Sequence, residues 1–317
     1  MSKEITNAVK YTERFSKDFQ QFLTPDNTFY LNTKGETSTE LSVHIPQYYT
    51  QIAGVSSNSD AVLDVVDYTQ DDQVITQRRF RSKAMRVLDF EATFVSNDQR
   101  ADLVKAMQGW VSTEIGNYVA LMIAPATSTL FTSGTATRPS SLIGSGNTVK
   151  KAVKADWIAV RTEMAKSNIP GGRWFGLIDP SALSDLFEID DFVKADATGE
   201  KLSRLMTGEF VDILGMTLMV RYPKFGANVA YTSGGTLADV YGAEYEGKTA
   251  DTITSAHVGA SIFWNDSAIY QNRGMAKTYI TAGDARYQGD LFSMQHSLGC
   301  GKIRKDGVGV IALVEKK

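Results

Sequence analysis

The sequence predicts an α+β chain. A strand-like run, VLDFEATFV, feeds directly into a helix of about 27 residues, some 40 Å long at 1.5 Å per residue. Helix and strand patterns then alternate between residues 156 and 222, and the last forty residues are a series of strand-patterned runs separated by short polar breaks.

The chain opens with Tyr11, Phe15, Phe19 and Phe22 at near-helical spacing, followed by the polar, turn-rich stretch TPDNTFYLNTKGETSTE. An amphipathic helix on such a tether reads either as an arm that docks elsewhere or as a helix packed on its own domain. Next comes the strand-like LSVHIPQYY. Between residues 47 and 86 the charges are segregated: Asp60, Asp64, Asp67, Asp71 and Asp72 are the only acids, and Arg78, Arg79, Arg81, Lys83 and Arg86, all later, are the only bases.

In VLDFEATFV, Leu88, Phe90, Ala92 and Phe94 alternate with Asp89, Glu91 and Thr93, the period of a strand. Ser96 and Gln99 form a capping box, and the helix they open reaches Ala124, where Pro125 ends it. Leu103, Met107, Trp110, Tyr118 and Leu121 make its apolar stripe; Gly109, Ser112, Gly116 and Ala120 make a small face. Each interior glycine costs about 1 kcal/mol relative to alanine, so Gly109 and Gly116 imply close packing or bending.

Residues 127–148 and 232–256 read as long loops. Between them lie a helix near Asp156–Ser167 with Trp157, Val160 and Met164 inward, the strand WFGLI, and a helix entered through Asp179-Pro180 that buries Leu183, Leu186 and Phe187. The strands EFVDIL and MTLMVRY follow, broken at Gly215. The end holds AKTYITA, LFSMQHSL, KIRK and VGVIALV, the last two joined by Asp306-Gly307, a hairpin signal.

No chemistry emerges from the residues. With 33 Lys and Arg against 36 Asp and Glu, the formal charge is −3, which argues against tight nucleic-acid binding as a main task. The single Cys300 excludes an internal disulfide and a multi-cysteine zinc site, and reads as a buried strand residue. The three histidines are scattered, and His296 is in phase with Phe292, Met294 and Leu298. No cofactor or metal site is expected. Gly144–Thr148 lacks phosphate-loop spacing. The pairs Asp71-Asp72 and Asp190-Asp191 leave a carboxylate-dependent hydrolase as a remote alternative. Neither a signal-peptide core nor an apolar run long enough for a bilayer is present, so synthesis and folding in cytoplasm are expected.

Three stretches in order carry a family resemblance: SVHIPQ with VLDFEATFV and the helix from Asn97; RWFGLIDPSALSDLF with GEFVDILGMTLMVRYPKF; and SMQHSLGCGKIRKDGVGVIALVEKK. Together they resemble the Hong Kong 97-like major capsid proteins of tailed double-stranded DNA bacteriophages. The resemblance implies an N-terminal arm (1–40), a first peripheral-domain part (41–126) with an extended β-hairpin loop (about 47–86) and a spine helix (about 97–124), an axial domain (127–274), and returning peripheral strands with a terminal hairpin (275–317). It implies a non-enzymatic subunit that self-assembles into hexamers and pentamers of an icosahedral virion capsid, built in the host bacterial cytoplasm. It also implies a separate scaffold protein, since no scaffolding-like stretch precedes the arm, as well as a portal, decoration proteins and weak, non-specific contact with packaged DNA. An encapsulin-type nanocompartment shell shares this fold and remains the alternative. On this basis Asp60, Asp64, Asp67, Asp71, Asp72, Arg78, Arg79, Arg81, Lys83 and Arg86 are expected between subunits, with Phe15, Phe19 and Phe22 as arm anchors and Gly109 and Gly116 as points of flexibility in the spine helix.

Overall fold

The computed structural model describes residues 29, 33–37, 40–48, 70–88, 99–169, 171–189, 211–241, 251–284, 286 and 289–317. Two sheets share one long helix. A five-stranded sheet contains β1 (Lys34–Thr37), β4 (Arg78–Arg81), β5 (Met85–Leu88), β15 (Ile269–Asp284) and β16 (Gly289–Lys302), in the order β1-β15-β16-β4 with β5 also on β16. Ahead of it, β2 (Ser42–Tyr48) and β3 (Gln70–Thr76) form a separate antiparallel ribbon. An eight-stranded sheet has the order β10 (Val211–Ile213), β11 (Met216–Val220), β9 (Trp174–Ile178), β14 (His257–Asn265), β12 (Val229–Thr232), β13 (Leu237–Ala238). To it β17 (Val310–Val314) adds on β14, and β6 (Thr129–Phe131) on β17. The helices are α1 (Gln99–Ile123), α2 (Lys154–Lys166) and α3 (Pro180–Phe187).

The eight-stranded sheet is apolar on both faces because its strands alternate between two cores. In β17, Val310, Ala312 and Val314 enter the core shared with α1, while Ile311 and Leu313 enter the core under α2 and α3. In β14, Trp264 stacks on Phe175 in the first core and Phe263 meets Trp157 edge-on in the second. As expected, Trp157, Val160 and Met164 of α2 are buried, as is Leu186 of α3. Leu214 and Gly215, both with positive φ, make the two-residue turn that closes β10 on β11.

Helix α1 runs unbroken through Gly109 and Gly116. Its first described half buries one face through Met107, Val111 and Ile115; from Ile115 to Leu121 it is enclosed on every side. Gly116 and Ala120 are both buried in this enclosed half, where small side chains let neighbours pack close to the helix. Trp110, expected in the stripe, is 48% exposed; the stripe continues through Val111 and Ile115, four residues apart on the face that Met107 starts. The helix ends as its proline requires, and the Lys302 Nζ donates to the Ala124 carbonyl at 2.6 Å, a cation on the negative end of the dipole.

Several sequence expectations are corrected. Residues 127–148 are not structureless: they contain β6 and, with residues 148–150, the small pair β7 (Thr137–Pro139) and β8 (Thr148–Lys150). The stretch 232–256 includes β13. Lys34–Thr37, read as tether, pairs in parallel with β15. No terminal hairpin forms, because Asp306-Gly307 turns the chain from one sheet into the other. A strand apolar on both faces can only be buried inside the two-sided sheet, so β17 leaves β16 for β14 and β6. Asp306 makes this turn with Arg304 and accepts from the Val308 amide. The other change of sheet falls at Asp266–Ala268, earlier than the 274 boundary. Phe15, Phe19, Phe22, the capping box at Ser96, the strand pattern of 89–95 and the loop 49–69 lie outside the described residues.

Truncating a stripe residue opens a cavity between both sheets, whereas Trp110 leaves none. Ile115→Ala is expected to lower unfolding free energy by about 2–5 kcal/mol, and Trp110→Ala by no more than about 0.5 kcal/mol, measured by chemical denaturation of the unassembled chain.

Candidate functional site

The five-stranded sheet has one face against α1 and one face open. Alternation along β16 places Phe292, Met294 and Leu298 towards the helix, all buried, with Ser293, Gln295 and Ser297 on the opposite side. Cross-strand partners share a face, so β4 divides its arginines. Arg78 and Phe80 pair with Leu298 and His296 and point to α1, where Phe80 meets Tyr118 and the Arg78 guanidinium lies 5.7 Å from the Tyr118 ring centre. Arg79 and Arg81 pair with Ser297 and Gln295 and are exposed on the open face. Arg86 joins them opposite Leu291, and Lys277 opposite Gln295 on the far side. Lys83 is exposed in the link between β4 and β5.

Among the described residues none of the acids expected to answer these bases is placed against them. Asp60, Asp64 and Asp67 lie outside the described residues, and Asp71 is placed only as the strand position opposite Gln47. Asp72, across from Pro46 on the exposed ribbon, is hydrogen-bonded to the His44 Nδ1. Two functional candidates were not legible in the sequence. Lys277 is one more polar position of AKTYITA until its register is known. Phe29 opens the short run Phe29-Tyr30-Leu31 in an otherwise polar stretch, yet it is 2% exposed, edge-on to Trp264 and 5.5 Å from the Arg221 guanidinium. Beyond Arg273, β15 has no strand on its outer edge among the described residues, and Met275, Tyr279 and Ile280 are exposed there.

A second polar group is buried. Arg138 of β7 donates to Asp185 of α3 at 2.9 Å and to Glu315 after β17 at 2.7 Å. Glu315 also accepts from the Ser140 hydroxyl and the amides of Ser141 and Gly259. Burial alone would lower the Arg138 guanidinium, but Glu315 and Asp185 outweigh it and hold it above its usual range. Asp179 was expected to cap α3; its carboxylate instead takes the amide and side-chain N–H of Asn228, at 3.0 and 2.8 Å. Burial, reinforced by nearby Glu315, pushes the Asp179 carboxyl well up, against the donors of Asn228 and the charge of Arg138. Asn228 in turn accepts from Arg221, which donates at 2.6 Å to Asn117 of α1. One group therefore ties β7, α3 and Glu315 together and the other ties Asp179 to the long helix, with the carboxylates of both buried.

His296 faces α1 with its Nδ1 unpaired, and burial lowers its pKa. Burial pushes the Cys300 thiol up to about 12. Among the described residues no group of three His, Cys, Asp or Glu could hold a metal ion, and no helix is long and apolar enough to cross a membrane. A groove of about 490 Å³ beside Thr129, Val308 and Ile311 contains the Glu163–Lys166 pair and no nucleophile with a base. Asp190 and Asp191 lie outside the described residues.

This arrangement of a ribbon, a long helix between two sheets and a long returning hairpin matches solved structures over almost its whole length. The capsid of cyanophage P-SCSP1u superposes with a TM-score of 0.62 at 17% identity, over 89% of this chain and 86% of that one. A structure of Mycobacterium phage Che8 gives 0.62 at 15% identity over 92% of each chain. The acid-stable capsid of Helicobacter pylori bacteriophage KHP30 gives 0.61 at 12% identity, over 90% and 88%. The chain has the Hong Kong 97-like capsid fold. No family model matches the sequence, and no curated protein matches it; at such identities the capsid fold is retained in packing pattern and topology with almost no common side chains.

The pairing at Asp179 makes a specific prediction about stability of the capsid fold. Asp179→Asn keeps an acceptor for Asn228 and should lie within about 1 kcal/mol of wild type, whereas Asp179→Ala strands two buried donors and should cost about 1–3 kcal/mol. The folded carboxyl holds its proton above its ordinary value of 3.8, so from that pH until the buried carboxyl itself ionises the native chain binds more protons than the unfolded one and stability falls as pH rises. Denaturation midpoints measured across pH should lose this slope in Asp179→Asn.

Proposed function

We propose that the protein is the major capsid protein of a tailed bacteriophage, a structural subunit that assembles into hexamers and pentamers of an icosahedral shell around packaged DNA. The observation that carries this is the end-to-end match to the three phage structures, each of which covers 89% or more of the chain. The surface supports it. An exposed ribbon, a 16-residue strand whose outer edge beyond Arg273 has no partner strand among the described residues, and sheet-face bases with no ion pair among those residues add nothing to an isolated chain and suit one that must meet neighbours. Assembly would take place in the host bacterial cytoplasm on a separate scaffold protein, with a portal and decoration proteins as further partners. The near-neutral charge fits a wall that touches DNA weakly and non-specifically. The subunit works by binding its own copies and turns over no substrate.

Two parts of the chain are assigned roles in this shell. Gly109 and Gly116 let α1 pack closely and adjust during assembly. Phe15, Phe19 and Phe22 anchor the N-terminal segment on a neighbouring copy, while Phe29 holds the base of that segment to its own chain.

The expressed chain, with its scaffold if one is needed, should form closed particles in sedimentation and electron microscopy; a monomer under all such conditions defeats the proposal. In the same assay Gly109→Ala with Gly116→Ala should reduce particle yield, and normal particles would leave the glycines without this role. Deleting residues 1–23 should leave a folded chain that fails to assemble; an unfolded product would place the three rings on their own chain.

A further inference from the structure

We infer that Asn272 is the pin of a joint that sets the angle at which the ribbon β2–β3 leaves the five-stranded sheet, and with it the angle between adjoining copies in the shell. The second half of this inference rests on the shell reading; the first concerns a single chain and is tested without assembly.

The chain passes between sheet and ribbon at two places. Glu40 and Leu41 lead into β2, and Gln77 is the single residue between β3 and β4. Both legs meet at one side chain. The fully buried Asn272 of β15 accepts from the Gln77 side-chain amide at 2.8 Å and donates to the Glu40 carbonyl at 3.2 Å. The legs are also bonded to each other, the Gln77 backbone amide donating to the Leu41 carbonyl at 2.7 Å. A carboxamide has an accepting end and a donating end, so one short asparagine holds both legs at once.

The leg at Gln77 lies on a seat made by glycine. Across the hairpin from Asn272 is Gly299, where a Cβ would stand 2.8 Å from the Thr76 carbonyl oxygen and 3.2 Å from the Gln77 nitrogen. Those are backbone atoms, which cannot rotate aside as the end of a side chain can. Gly301, two residues on, admits Ile75, the buried residue at the foot of β3. Gly274 lies in the irregular stretch of β15 between Arg273 and Ala276, and a Cβ there would be 2.5 Å from the Gln77 side-chain oxygen. Bulges of this kind bend a strand and redirect what lies on it. Pin and seat hold both legs against one pair of strands, so the ribbon is aimed by its own chain before any neighbour is met.

Small changes at the joint are magnified. Seven residues of strand make a lever of about 20 Å, so a tilt of about 15° at the base moves the far end about 5 Å. In a shell whose copies meet through such projections, that displacement becomes a change of curvature.

The test reads the angle in the unassembled chain. Spin labels are placed at Gln70→Cys, the far end of β3, and Lys277→Cys, exposed on β15, and their separation is measured by pulsed electron resonance. Cys300 is buried with its thiol pushed up to about 12 and stays unlabelled. The labelled parent should give one narrow distance distribution. Gln77→Ala removes one bond of the pin, and Gly299→Ala raises the seat. Each should shift or broaden the distribution by about 5 Å, with circular dichroism and cooperative melting retained. Gln73→Ala, on the ribbon but away from the joint, should change nothing. Without labels, the two joint variants should lose regular particles and give shells of altered diameter or open, irregular sheets. A narrow, unshifted distribution in both joint variants overturns the inference, as does a shifted one accompanied by particles of wild-type size. A broad distribution in the parent also overturns it, since the joint would then hold nothing. If Gly299→Ala fails to fold, Gln77→Ala decides alone, its side chain being only half-buried. A wild-type chain that never forms particles, while the distances respond as stated, refutes the shell reading and not the joint.

Discussion

Burial of the second half of α1 between two sheets is the constraint from which the rest of the architecture follows. From Ile115 to Leu121 every side of the helix is covered, by β16 and β4 on one side and by the eight-stranded sheet on the other. A helix enclosed in this way cannot be solvated on any face, so both sheets must be complete before it is stable. The chain meets this demand by changing sheets on either side of its longest hairpin, at Asp266–Ala268 and again after Lys302. Lys302 closes the arrangement, ending β16 and capping α1 in the same step.

The buried polar network adds selectivity where apolar packing is permissive. Arg138, Asp185 and Glu315 satisfy one another with little access to water, and beside them a second series runs from Asp179 through Asn228 and Arg221 to Asn117 on the helix. Such a chain tolerates few alternatives, because each displaced member leaves a buried charge or donor unpaired. It also sets the Phe29 ring between Arg221 and Trp264, so that the segment leading to β1 starts from a fixed point on its own subunit.

Rigid core and open surface divide the work. The eight-stranded sheet has both faces covered, whereas the five-stranded sheet keeps one face, one outer edge and a projecting ribbon available. An isolated chain gains nothing from exposed Met275, Tyr279 and Ile280, or from Arg79, Arg81, Arg86 and Lys277, which make no ion pair among the described residues. In the shell proposed above, individually weak contacts of this kind would set orientation and register without demanding high affinity at any one of them.

Local chemistry by itself determined the elements whose cause is local. Pro125 ends α1, Leu214-Gly215 turns β10 into β11, and the apolar spacing of Trp157, Val160 and Met164 orients α2, because in each case the deciding contacts lie within one turn of the chain. The order of these elements also carried the fold. Tertiary structure decided what depends on register and partner. Asp306-Gly307 has the residues of a hairpin, but an apolar β17 had to enter the two-sided sheet. Asp179 has the position of a helix cap, but Asn228 offered it two donors. Arg78 and Arg79 are neighbours of the same type, and only the pairing of β4 with β16 sends the first onto Tyr118 and the second to the open face. A shift of one residue would exchange them, and register in a sheet is set by the partner strand, about two hundred residues away in the chain.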